Sequence, residues 1–220
     1  MRMAICLAVS ALLIAGIYAS PLELVSKVYL LSAFAAKHLL LNLIVPLLLV
    51  LGLPLPVARR VRIPAPIAWV AAALSLVVWY VPSLYNAALR DPRVEAAQAF
   101  SWLIGGVLLY LPLYTPAAAN RMKPVPPAAV YLFAMAAVAS VLGLRLATLS
   151  PGLYGGYLAP KDPLHILDEL QNFWHFDPQT DQQTAGFLLW LGSCSVYLSS
   201  VMIMFYRMFT ETEKRETEKR

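Results

Sequence analysis

Leu39-Leu40-Leu41-Asn42-Leu43-Ile44-Val45-Pro46-Leu47-Leu48-Leu49-Val50-Leu51-Gly52 carries one polar side chain, Asn42. Extended back to residue 28, the run is long enough to cross a bilayer. A spanning helix needs about 20 mainly apolar residues, because lipid offers no partner to an unpaired backbone group. Five further runs of this kind occupy roughly 3–20, 65–83, 98–115, 127–149 and 184–206. The chain has 220 residues, 60% hydrophobic and 13% charged, with a mean hydropathy of +0.67. A soluble core of this size would not hide so many uninterrupted apolar runs. The expected fold is an all-α, polytopic integral membrane helix bundle with about six transmembrane helices. It forms a single domain over 1–210, with an extracytoplasmic loop at 150–183 and a charged tail at 211–220.

Lys and Arg concentrate in cytoplasmic loops of membrane proteins. With the amino terminus inside, Arg2, Arg59, Arg60, Arg62, Arg121, Lys123, Arg207, Lys214, Arg215, Lys219 and Arg220 fall on the cytoplasmic side, 11 of the 17 basic residues. Both termini are therefore expected to be cytoplasmic, in a prokaryotic cytoplasmic membrane. The net charge of +5 reflects this asymmetry and does not point to nucleic acid. The first run, with Arg2 before it, has some look of a signal peptide, but the charge pattern is satisfied only if it stays and spans. Cys6 and Cys194 lie inside spans and read as buried small hydrophobes, not as a disulfide.

Proline punctuates the spans, and Pro46 and Pro112 are placed to kink them. The segment 150–183 is too long for a turn. It contains a candidate amphipathic helix, Leu164–Trp174, and aromatic residues Tyr154, Tyr157, Phe173 and Trp174 suited to the headgroup layer. No phosphate-cradling loop, nucleophile elbow or paired-carboxylate arrangement is present, so no catalysis is expected.

Charges inside a span cost a few kcal/mol on insertion scales and need partners. Lys37, His38, Glu95, Arg145 and Asp181 all fall in the outer half of the bilayer or at its outer face, with Tyr80, Gln98 and Gln182 at similar depth. Arg145 can snorkel. Lys37 is deeper and calls for a carboxylate, Glu95 first and Asp181 second. His38 alone reads more readily as a packed histidine than as a ligand. His165 and His175, ten residues apart, have no recognised ligand spacing.

Three blocks resemble the CtaG-type cytochrome c oxidase assembly factors of bacteria. They are Lys37–Gly52, then Trp79–Leu89 followed by Asp91–Glu95, and Asp181-Gln182-Gln183-Thr184-Ala185-Gly186-Phe187-Leu188-Leu189-Trp190. The last is the most specific. The resemblance implies several membrane helices and a role in the biogenesis of heme–copper oxidases of the respiratory chain, through copper handling. That family's pattern carries histidine pairs at i and i+4, a spacing that puts two imidazoles on one helix face. This chain keeps His38; its partner position is Phe34, the histidine before Leu-Pro is replaced by Tyr80, and the pair before the fourth span is Glu95 and Ala99. His38 and Glu95 remain as metal-ligand candidates, a poor hard–soft mixture for Cu(I).

The expectation is a CtaG-like protein associated with a heme–copper oxidase, as assembly factor or accessory subunit. The alternative is a metal-free structural subunit of another large membrane complex. No cofactor is expected, with copper as the exception to test. Membrane lipid and oxidase subunits are the expected partners. Lys37 paired with Glu95 beside His38 would satisfy the site without metal. Asp181 would cap the last span, Gly186 would permit close helix approach, and Trp190 would pack in the bundle.

Overall fold

The structure, a computed structural model, describes residues 2–54, 63–114, 125–150, 154, 162–174 and 177–217. Arg59, Arg60, Arg62, Arg121, Lys123, Tyr157, Lys161, His175, Lys219, Arg220 and most of 151–161 lie outside the described residues. Helix α1 covers Arg2–Ala19 and α2 Leu22–Val28. Helix α3, Leu31–Leu39, passes through a π-helical turn at Leu40–Ile44 into α4, Val45–Leu51. Helix α5, Ala65–Val77, ends in a 3-10 turn at Val78–Tyr80. Helices α6, α7 and α8 cover Pro82–Arg90, Pro92–Tyr114 and Val125–Thr148. Helix α9, Pro178–Phe187, continues through a π-helical turn at Leu188–Gly192 into α10, Ser193–Thr217. No strand occurs among the described residues.

Four of these helical stretches are long and apolar enough to cross a membrane: Leu31–Leu51, Pro92–Tyr114, Pro126–Thr148 and Pro178–Thr210. Two bent pairs bring the number to six if each is one span: Met3–Ala19 with Leu22–Val28, bent by 53°, and Ala65–Tyr80 with Pro82–Arg90, bent by 75°. The protein is thus an all-α polytopic membrane bundle. The bends follow from proline. Val81 takes an extended conformation, φ −73° and ψ 122°, because the ring of Pro82 disfavours the helical one in the residue before it. Asp91 does the same before Pro92. The expected third span therefore stops at Tyr80, and residues 82–97, expected to be mostly loop, are helical. The candidate helix at 164–174 is shortened to a π-helical turn at Glu169–Phe173 with one preceding turn.

Helix α7 packs between α5 and α4, α8 runs along α9 and α10, α3 meets α9, and α1 lies against α4. One apolar core gathers Phe34, Leu41, Trp79, Tyr80, Tyr85 and Trp102 near the ends from which residues 150–177 emerge, the loop end. A second holds Leu43, Leu76, Leu109, Met135 and Tyr197 further along the bundle. Glycine allows two close crossings. At Gly106 a Cβ would collide with the carbonyl oxygen of Asn42 and meet the Pro46 ring at 2.5 Å. Asn42 precedes Pro46 by four residues, so its carbonyl lacks the usual helical donor. The π turn beside it is closed by the Val45 N–H reaching Leu40 O, five residues back. Gly186 crosses Gly143 and Ala147 so closely that a Cβ would lie 2.7 Å from the Ala147 nitrogen.

Outward-facing apolar side chains, including Leu12, Ile67, Phe100, Val141 and Met202, are more than half exposed in the isolated chain. In a membrane protein such residues face lipid.

Candidate functional site

The loop end collects nearly all the polar residues singled out from the sequence. Lys37 sits on α3 with its side chain only 5% exposed, and its ammonium lies 2.6 Å from Glu23 Oε2 and 3.6 Å from Glu95 Oε1. Lys27 closes the set, 2.7 Å from Glu23 Oε1 and 2.6 Å from Glu95 Oε1. Two ammonium groups and two carboxylates thus alternate in a neutral network. The Tyr18 ring lies 5.1 Å from the Lys37 ammonium and adds a cation–π contact.

Glu95 is therefore a partner of Lys37, as expected, but Glu23 is nearer and Asp181 is not among its partners. Glu23 escaped the sequence reading because it stands between two apolar runs and looks like a boundary residue. Its signal was the i,i+4 spacing to Lys27 on one short helix.

His38 is fully buried on the next position of α3. Its Nδ1 is hydrogen-bonded with the Tyr80 hydroxyl at 3.0 Å, and its ring stacks on Trp102, centroids 4.4 Å apart and planes 15° apart. Its Nε2 has no partner. Phe34, one turn earlier, makes edge contacts with Tyr80, Tyr85 and Trp102 at 5.7, 4.9 and 5.4 Å. The Tyr154 hydroxyl donates to Tyr80 O at 2.8 Å, covering the end of α5. Tyr154 is 3% exposed, so it belongs to the core and not to a headgroup layer.

Residues 34, 38 and 80, three of the five positions at which the resemblance implies histidines, converge in the structure. Here they hold one imidazole and an aromatic cluster. Among the described residues no group of three or more His, Cys, Asp or Glu could hold a metal ion. Cys6 lies against Gly52 beyond α4, and Cys194 faces Ser140, so neither thiol joins His38. One imidazole nitrogen with a phenol and indole around it does not fit copper, which needs further nitrogen or sulfur ligands.

The Asp-Gln pair at the start of the last span is a clamp. Asp181, 3% exposed, accepts from Leu31 N at 2.6 Å, Ser32 N at 3.1 Å and the Ser32 hydroxyl at 2.5 Å. These are donors at the first turn of α3, which lack helical acceptors. Asp181 therefore caps α3; the cap of α9 is Asp177, which accepts from Thr180 N at 2.7 Å. Gln182 Nε2 donates to Leu146 O at 2.9 Å and Leu149 O at 2.6 Å, satisfying carbonyls at the end of α8. Two adjacent residues so bind the ends of two other helices. Arg145 is exposed on α8. Trp190 is 37% exposed and stacks with Phe187 at 6.5 Å, partly packed and partly turned outward.

The remaining loop is pinned by Asp162. Its Oδ1 accepts from the Tyr29 hydroxyl at 2.8 Å and from Ile166 N at 3.0 Å, and Leu164 N donates to the Tyr29 oxygen at 2.8 Å. Exposed His165 stands beside it in the left-handed conformation, φ 54°. Partial burial pushes the Asp162 carboxyl up, but the Tyr29 hydroxyl, the Ile166 and Leu167 amides and nearby His165 outweigh it and hold it below its ordinary 3.8. A carboxyl lowered by folding contributes stability above its unfolded value and loses it as pH falls through the folded one. Hydrogen exchange of residues 162–174 should accordingly be unchanged between neutral pH and about pH 5 and rise, relative to intrinsic rates, as pH falls below the ordinary carboxylate range. Asp162→Asn should show the faster exchange at neutral pH already.

Comparison with known proteins adds one finding. The family model of the cytochrome c oxidase caa3 assembly factor (Caa3_CtaG) matches residues 2–211. No curated protein and no solved structure gives a match.

Proposed function

The chain belongs to the cytochrome c oxidase caa3 assembly factor family, and on that premise we propose that it serves a heme–copper oxidase from within the membrane, by protein contact, without carrying copper and without catalysis of its own. The observation behind this reading is the filled histidine locus. Phe34, Tyr80 and Trp102 pack around His38, and the carboxylates of Glu95, expected from the sequence, and Glu23, found in the structure, are already neutralised by Lys27 and Lys37. The family match spans residues 2–211, Asp181 and Gln182 clamp two other helices, and no group of three or more His, Cys, Asp or Glu gathers at His38 among the described residues, which supports the metal-free reading. Placement of arginine and lysine supports both termini on the cytoplasmic side of a bacterial membrane, which leaves the loop end facing outward.

The test is purification from native membranes in a mild detergent, with partner identification by mass spectrometry and copper analysis on one fraction. Oxidase subunits with copper far below one equivalent per chain, beyond that of the oxidase itself, are expected. Copper near one equivalent on the free protein overturns the metal-free reading. A stoichiometric complex lacking any heme–copper subunit supports instead a structural subunit of another assembly.

A further inference from the structure

The loop segment before α9 is held in place and yet leaves two aromatic rings uncovered. Asp162 ties its start to Tyr29 at the end of α2, and the Trp174 N–H donates to Glu169 O at 3.1 Å, closing the π-helical turn. Phe173 and Trp174 meet there edge to face, centroids 5.5 Å apart, and are 72% and 60% exposed. Apolar rings clustered on ordered backbone and left uncovered mark a contact surface, and aromatics are favoured anchors of protein interfaces. Asp168 and Glu169 are exposed at the start of the same turn, with Asp168 accepting from the Asn172 amide at 2.5 Å. Glu169 precedes Phe173 by four residues, which puts the two on one side of the turn.

Charge selects the occupant. From Asp162 to Tyr206 the sequence holds no Lys or Arg, and Asp177 adds a further exposed carboxylate beyond Trp174. Segments that rest on anionic lipid carry Lys and Arg on their polar face, and this one carries the opposite sign. We propose that Asp168, Glu169, Phe173 and Trp174 dock a cationic patch of a protein partner, its Lys or Arg at the carboxylates and an apolar side chain on the rings. An arginine there also gains a cation–π contact with Trp174. Trp174 stands shortly before α9, so the partner is met at the edge of the membrane. The proposal rests on protein contact as the mode of action and names the surface that makes it.

The experiment uses the full chain in its native membranes, with photoreactive benzoylphenylalanine in place of Phe173 or Trp174. Illumination should give a protein adduct, and mass spectrometry should map it to a partner segment with an excess of Lys and Arg. Asp168→Lys combined with Glu169→Lys should lower the adduct yield about tenfold, since like charges then face each other. Asp168→Asn combined with Glu169→Gln should lower it about threefold, and carries the test if the charge-reversed chain does not fold. Adducts with lipid alone, or with neither lipid nor protein, overturn the docking surface; oxidase subunits copurifying with the parent would then leave the functional reading standing. A cationic partner that is no oxidase subunit supports the surface and removes the oxidase from that reading. A protein adduct whose yield neither charge variant changes overturns the proposal.

Discussion

Lys37→Met should lower the thermal midpoint of the purified protein in detergent by roughly 6–12 °C, the equivalent of about 3 kcal/mol. The methionine fills most of the volume of the lysine stem, so packing changes little and the loss is electrostatic. The ammonium it removes is held at 2.6 Å by Glu23 and lies 3.6 Å from Glu95, with its side chain almost wholly out of water. Lys27 then has two carboxylates to satisfy alone. Removing one member of a buried ionic set leaves charge without compensation, and this costs more than the intact set contributes. Glu23 and Glu95 keep some exposure, 19% and 22% of their side chains, which places the cost at the lower end. The same argument fixes the sign of a second substitution. Glu23→Gln in the Lys37→Met background should recover part of the lost midpoint, whereas Glu23→Gln alone should lower it. A double-mutant cycle by thermal unfolding measures this coupling. Additive effects would mean that the two residues do not interact in the folded protein.

The spans were legible because a membrane imposes the simplest pattern a sequence can carry: long apolar runs ended by proline and charge. Their breaks were less so. Val81-Pro82 and Asp91-Pro92 could be read as turns, but the 75° bend and the helicity of 82–90 depend on what packs beneath α6. The polar residues were found by depth, and depth did bring Lys37, His38, Tyr80, Glu95 and Gln98 to one end of the bundle. It could not choose partners. Glu23 lies on a short helix folded back onto α3, a placement that no periodicity encodes, so the nearest carboxylate was missed. Tyr154 was misplaced for a related reason. An aromatic in a glycine-rich loop looks interfacial until the fold brings the Tyr80 carbonyl to its hydroxyl.

Asp181 gives the second large effect, and it corrects the reading of its own motif. A carboxylate three or four residues into a helix after proline suggests a cap for that helix. Asp177 takes that role, leaving Asp181 free to reach across to α3. Its two oxygens meet two backbone N–H groups and one hydroxyl, all buried, at a helix start whose own flanking residue, Leu30, has no side chain able to cap. Asp181→Ala therefore strands three buried donors at once. Loss of a cap costs about 1–2 kcal/mol, and burial of the stranded donors raises this to about 3 kcal/mol. Asp181→Asn should cost less, because one amide oxygen can still accept from Leu31 or Ser32, though without the charge that favours a helix start. The expected order of thermal midpoints is parent, then asparagine, then alanine. Hydrogen exchange would locate the damage: faster at Leu31–Phe34, with α9 retaining its protection through Asp177. Were α9 to loosen instead while α3 stayed protected, Asp181 would be acting as a cap for its own helix. Because α3 carries both Lys37 and His38, its register sets the ion network and the aromatic cluster together, and the clamp from the last span is what holds that register.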